Sequence, residues 1–154
     1  MPITRVTPVG TKLDDGYQTL IAFEADPDIS LWEKTVKPPG VDGGDAIETT
    51  TMHNTTWRTM AARALKTLTE SALTCAYDPL VYDQIVALIN VETQLTVAFP
   101  DGSTLDFFGY LRTFEPGDNA EGAQPEATCN ITPTNLDPNT GNEAGPTFTN
   151  NSGT

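Results

Sequence analysis

The chain has 154 residues, 21 of them acidic and 8 basic, for a formal net charge of −13. That length suits one domain that can bury a core without metals or disulfides. Grip on nucleic acid by phosphate neutralisation needs a basic patch, and none exists here: Arg58, Arg63 and Lys66 sit apart among alanines and threonines.

Residues 1–16 carry prolines, glycines and the pair Asp14-Asp15, and read as an irregular lead-in. They have no apolar core of the length a signal peptide needs, and no later run approaches the ~20 residues of a membrane span. The expectation is a protein kept in a cytoplasm, with Cys75 and Cys129 as reduced thiols. The Asn-x-Ser/Thr sequons at Asn54, Asn130 and Asn150 are then chance.

Residues 17–25 alternate as a strand, Tyr17, Thr19, Ile21 and Phe23 on one face. Asp26-Pro27-Asp28 turns the chain. A second strand covers 29–37, with Ile29, Leu31 and Glu33 on one face and Trp32, Lys34 and Val36 on the other. Pro38 to Asp45, rich in proline and glycine, cannot be an element interior, and opens a long loop over 38–56. Within it, 46–52 has strong β propensity. Ala, Leu, Arg and Lys over 59–69 are compatible with a short helix. A strand follows at 71–77, with Leu73, Cys75 and Tyr77 on one face. Asp78 caps a helix from Pro79 to Asn90, stapled by Tyr77 and Tyr82. Its stripe of Leu80, Val81, Ile85, Leu88 and Ile89 packs on a sheet.

Leu95, Val97 and Phe99 alternate with polar residues, and Pro100-Asp101-Gly102 predicts a type I turn with Gly102 left-handed in a G1 bulge. The return strand runs from about 103 to 114. Its two faces both carry large side chains, so both are covered, one of them by a neighbouring subunit. The last strand spans 124–133, with Ala127, Cys129 and Ile131 inward. Residues 1–134 form the domain, and 135–154 a flexible Asn/Gly/Thr-rich tail. About seven strands and one flanking helix predict a mainly β fold, an antiparallel sandwich or small barrel.

Chemistry-bearing patterns are missing. The single histidine, His53, lies in a polar Thr/Asn stretch and suits the surface better than catalysis. Gly-x-Ser-x-Gly and phosphate-binding loops do not occur. Cys75 and Cys129 fall on inward faces, where a small buried thiol is the default. Asp137 to Glu143 spaces oxygen ligands as calcium loops do, but lacks the glycine and distal glutamate of an EF-hand, and reads as a solvated turn. No cofactor or metal is expected, and no catalytic activity. Trp32 and Trp57 suit a core, a sugar platform or a contact anchor.

The order of features carries a likeness. A strand hairpin leads into a Pro/Gly-rich loop that opens on Gly44-Asp45-Ala46-Ile47-Glu48-Thr49-Thr50-Thr51. A strand then ends at Tyr77-Asp78, and one helix follows. The hairpin at Phe99-Pro100-Asp101-Gly102-Ser103 and the final Ala127-Thr128-Cys129-Asn130-Ile131-Thr132-Pro133 complete the series. Over residues 17–134 this resembles the major tail protein, the tail-tube subunit, of long non-contractile-tailed bacteriophages of siphovirus type.

The resemblance implies a β-sandwich with a flanking helix, assembled as hexameric rings stacked into a hollow tube, the inner sheets joining around the lumen. The long loop, with Pro38, Pro39, Gly40, Gly43, Gly44 and Trp57, would reach the adjacent ring. Viral DNA would pass through without specific binding, along a wall to which Glu24, Glu48 and Asp106 contribute carboxylates. Partners would be further copies of the chain and, at the tube ends, the tape measure, terminator and distal tail proteins, with no membrane insertion of its own. Location would be the virion tail, after assembly in the host cytoplasm. The charge suits such a task, since a like-charged wall does not hold a duplex. Rival readings are a capsid decoration or tail-completion protein, and a sugar-binding β-sandwich.

Overall fold

The computed structural model describes residues 17–29 and 31–150; the expected lead-in over 1–16 and the last residues of the expected tail lie outside them. Among the described residues eleven strands occur in chain order: β1 Leu20–Phe23, β2 Trp32–Lys37, β3 Val41–Asp42, β4 Ile47–Glu48, β5 Met60–Ala61, β6 Thr67–Leu68, β7 Ser71–Ala76, β8 Thr93–Ala98, β9 Thr104–Pro116, β10 Glu126–Pro133 and β11 Thr147–Thr149. Between β7 and β8 a 3-10 turn at Pro79–Val81 leads into helix α1, Tyr82–Leu88. The fold is mainly β, as the alternation predicts.

Seven strands form one antiparallel sheet in the order β1-β8-β9-β10-β7-β2, with β11 on β9. The sheet rolls until its end strands β1 and β2 approach each other, and the Ile21 amide donates to a Glu33 carboxylate oxygen at 3.3 Å across the seam. This is the small-barrel form of the expected architecture. Inward residues follow the period of two: Ile21 and Phe23, Leu73 and Cys75, Leu95 and Val97, Phe107 and Leu111, Ala127, Cys129 and Ile131. Ile85 and Leu88 of α1 join the same core.

The β8–β9 hairpin has the predicted turn. The Phe99 amide donates to the Ser103 carbonyl at 2.9 Å, the Gly102 amide to the Phe99 carbonyl at 3.0 Å, and Gly102 has φ +89°. Asp78 caps as expected, its carboxylate accepting from the Leu80 amide at 3.0 Å. Tyr77 and Tyr82 meet on a shared third ring, Phe114, at centroid distances of 5.6 and 6.1 Å. The regular helix is shorter than predicted. Ile89 is already extended, and Asn90 takes φ +63°, which a short amide side chain tolerates.

Two expectations are corrected. Residues 59–69 are not helical but contribute β5 and β6. In β2 the register shifts between Glu33 and Thr35. One extra residue reverses the alternation, so Val36 packs on the core together with Ile29 and Leu31 rather than opposite them. In the segment from 135 onward, the Asp137 amide pairs with the Asn142 carbonyl and β11 runs along Thr104–Asp106 of β9.

Candidate assembly surface

Residues 38–70 leave the barrel between β2 and β7 as one folded-back arm. At its root the Gly40 amide donates to Thr69 Oγ1 at 2.7 Å and the Thr69 amide to the Gly40 carbonyl at 2.8 Å. Val41 and Asp42 pair with Leu68 and Thr67, and farther out Ile47 and Glu48 pair with Ala61 and Met60. Leu68 is buried and pins the root to the barrel core. Pro38 and Pro39 are half-buried where the chain turns out; Gly40 closes the root, while Gly43 and Gly44 lie between the two paired stretches. The Gly44 amide donates to Asp42 Oδ1 at 2.8 Å, and Arg63 Nε to the Asp45 carbonyl at 2.7 Å.

Side chains hold the tip together. The Thr51 amide donates to Asn54 Oδ1 at 3.0 Å, Asn54 Nδ2 to the Trp57 carbonyl at 2.8 Å, and the Thr59 amide to Thr50 Oγ1 at 3.0 Å. Threonine and asparagine substitute here for ladder partners. His53 stands exposed in this tip.

The arm has almost no interior. Trp57 is 80% exposed and Met52 fully so, and Val41, Ile47, Met60 and Leu65 are exposed as well. An isolated two-stranded hairpin is marginal in water, and contiguous exposed apolar surface marks an interaction site. Sequence reasoning finds Trp57 but misses Met52, Met60 and Leu65. They are irregularly spaced among Thr, Asn and Ala, so no period of 2 or 3.6 reveals them.

The arm also gathers Arg58, Arg63 and Lys66. Arg58 pairs with Glu48 at 3.0 Å. Glu48 is therefore an arm residue, apart from Glu24 and Asp106. Asp106 lies on the outer face of β9, half-buried, and accepts from Thr96 Oγ1 at 2.6 Å. Glu24 is exposed one residue beyond β1, its amide donating to the Gln94 carbonyl at 3.0 Å. The outer face shared by β1, β8, β9 and β11 presents Ala22, Thr96, Asp106 and Thr147 in one cross-strand row.

At the other end of β2 and β7 from the arm, Trp32, Ala76, Tyr77, Asp78, Gln124 and Pro125 line a surface pocket of about 300 Å³. Trp32 is 64% exposed there. Glu115 near the end of β9, Asp118 and Glu121 in the β9–β10 connection and Glu126 at the start of β10 add acidic groups on this stretch of chain, with Lys34 bound to Glu126 at 2.6 Å.

No group of three or more His, Cys, Asp or Glu suited to a metal occurs among the described residues. In the Asp137–Glu143 segment the Asp137 carboxylate accepts from the Asn139 amide at 2.9 Å, as in a simple turn. Cys75 and Cys129 are buried side by side on β7 and β10; the hydrogen bond between them, and burial, push the Cys129 thiol up. No helix of the described residues is long and apolar enough to cross a membrane.

No family model matches the chain, and no curated protein matches it in sequence. Solved structures do. A chain in the virion of a native gene transfer agent particle is similar over 90% of this chain and 100% of its own, with TM-score 0.62 and 10% identity. A chain in the baseplate of the anti-feeding prophage, a 6-fold symmetrised structure, is similar over 80% of this chain and 93% of its own, with TM-score 0.57 and 10% identity. At such identity the shared property is the fold: this chain has the same fold as components of those two particles.

Proposed function

We propose that this chain is a virion structural protein, the subunit of a phage-type tail tube, that assembles as stacked hexameric rings and encloses a lumen through which viral DNA passes. The observation that carries the reading is fold likeness over nearly the whole of both chains to a component of a virion particle. The likeness to a component of a 6-fold symmetrised baseplate supports the ring number. The exposed arm supports stacking, because its apolar side chains need a cover that the described residues do not supply.

In this reading the arm, with Pro38, Pro39, Gly40, Gly43, Gly44 and Trp57, crosses to the next ring, and Glu24 and Asp106 contribute carboxylates to the lumen wall. Glu48 serves the arm through Arg58. The outer face of Thr, Ala and Asp106 suits a wall that leaves the duplex surrounded by water and counterions. Further copies of the chain are its main partners, with other tail proteins at the tube ends, and it resides in the virion after assembly in the host cytoplasm. A second reading, a tail-completion protein that forms a single ring, draws support from the baseplate likeness.

Sedimentation and negative-stain microscopy of the purified chain at rising concentration test the proposal. Tubes of uniform width are expected; rings that never stack would favour the second reading, and monomers at every concentration would refute both.

A further inference from the structure

One side of β9 is covered by two strands in succession. β10 pairs with it from Pro116 to Gly109 and ends at Pro133, after which the Thr134 amide donates to the Phe108 carbonyl at 2.9 Å. The chain then leaves the sheet over 135–146 and returns as β11 on Thr104–Asp106. β8 already holds the other side of those residues, so β11 covers the stretch of edge that β10 leaves bare. Its hold is slight. The ladder has three pairs, Thr147 with Asp106, Phe148 with Leu105 and Thr149 with Thr104, and all three β11 residues are exposed. Phe148 meets the Phe99 ring at 6.4 Å yet stays 58% exposed. The 135–146 excursion closes on itself, the Asp137, Gly141 and Ala144 amides donating to the Asn142, Asp137 and Asn135 carbonyls. Opened out, it spans about 40 Å.

We infer that this edge is a strand-acceptor site, filled here by the chain's own β11 and able to take the β11 of a second copy. β11 itself shows what the edge accepts: two β-favouring threonines flanking a phenylalanine that meets Leu105 and Phe99. A second copy brings the same segment and makes the same contacts, so exchange requires no new complementarity. Charge allows the crossing. From Ala144 to Thr154 no side chain is charged, so the segment reaches a copy of charge −13 without setting like charges together. Release is easy, because a short exposed ladder sits at the low end of local stability, and the opened excursion gives the strand its reach. A bare edge beside Leu105 and Phe99 then takes up whichever matching strand is near, main-chain pairing supplying the affinity. The inference rests on the proposed self-assembly, which brings copies within reach, and concerns β9 and the C-terminal segment rather than the arm.

Directly opposed residues of an antiparallel pair have Cα atoms about 4.5–5.5 Å apart, within disulfide range. Full-length Thr104→Cys and Thr149→Cys are prepared separately, mixed, assembled and exposed to oxidised glutathione. Covalent dimers joining one variant to the other are expected from the mixture. None is expected from either variant alone or from the parent, whose Cys75 and Cys129 are buried. The double variant Thr104→Cys/Thr149→Cys reports the alternative: cross-links confined within single copies, with none in the assembled mixture, overturn the exchange and leave self-assembly standing. A dye-labelled peptide of residues 144–150 tests the acceptor in dilute protein. Its anisotropy is expected to rise with full-length Phe148→Asp, whose own β11 is weakened, and to rise less with the parent. A peptide that binds neither overturns the acceptor site whether or not the protein assembles. If the parent never assembles, the self-assembly reading fails by that result, and the peptide alone decides the site.

Discussion

Gly109 sits in β9 opposite Pro133 of β10, where the two strands begin to part. A Cβ there would lie 2.7 Å from the Thr132 carbonyl oxygen and 3.2 Å from the Pro133 Cα, both backbone atoms. Gly109→Ala should therefore cost about 1–3 kcal/mol, read as a lower midpoint in denaturant; an unchanged midpoint would mean the strands separate at no cost. The two thiols make a second residue-scale case. Cys75 and Cys129 are each 2% exposed, so a thiol reagent should modify the native protein only as fast as it unfolds. The raised Cys129 thiol fixes the sign of its pH effect. Below the ordinary value of 9.0 both folded and unfolded chains keep the proton. Above it the unfolded chain loses its proton first, so this thiol's contribution to stability falls as pH rises. Fast labelling at neutral pH would contradict its burial.

The elements legible from sequence are those whose signals are local. Strict alternation from Leu95 to Val97 and the Pro100-Asp101-Gly102 turn specify the β8–β9 hairpin by themselves, as Asp78-Pro79 specifies the helix start. What misleads is non-local. Residues 59–69 have helical composition, yet Met60-Ala61 and Thr67-Leu68 pair with strands that lie earlier in the chain, and tertiary pairing overrides a weak propensity. The β2 faces reverse because a bulge leaves no trace in residue type. The surface proposed for assembly is half legible: glycine, proline and Trp57 mark the arm, whereas the exposed Met52, Met60 and Leu65 follow no period and show only in the folded chain. Two outcomes belong to the arm. Replacing residues 45–64 by a short Gly-Ser link keeps Leu68 and the root, and should leave a barrel that melts cooperatively but does not elongate; tubes of normal length would remove the arm from stacking. Amide exchange at 45–62 should be fast in dilute protein and strongly slowed in the assembly, and equal exchange in both states would argue against an arm that needs a partner.

For the molecule as a whole, charge and edges have one explanation. A net charge of −13 on each copy repels copies as well as DNA, so the proposed assembly has to rest on apolar contact. It should therefore tighten with added salt up to the point where the arm's own ion pairs are screened. The lumen role proposed for Glu24 and Asp106 has a separate consequence. Changing both to Lys creates phosphate contacts in every ring, whose sum grows with tube length. Particles with that pair of substitutions should eject DNA more slowly than the parent, most of all at low salt; an equal rate at low salt would remove these two carboxylates from the wall.

The central claim, a subunit that stacks head to tail into a tube, is tested most directly by cryo-electron microscopy of assemblies of the full-length purified chain. The account predicts six-subunit rings repeating along one polar axis, each arm crossing a ring boundary to lie against the next copy. A lone closed ring, a stack of alternating polarity, or arms that stay within their own ring would contradict it.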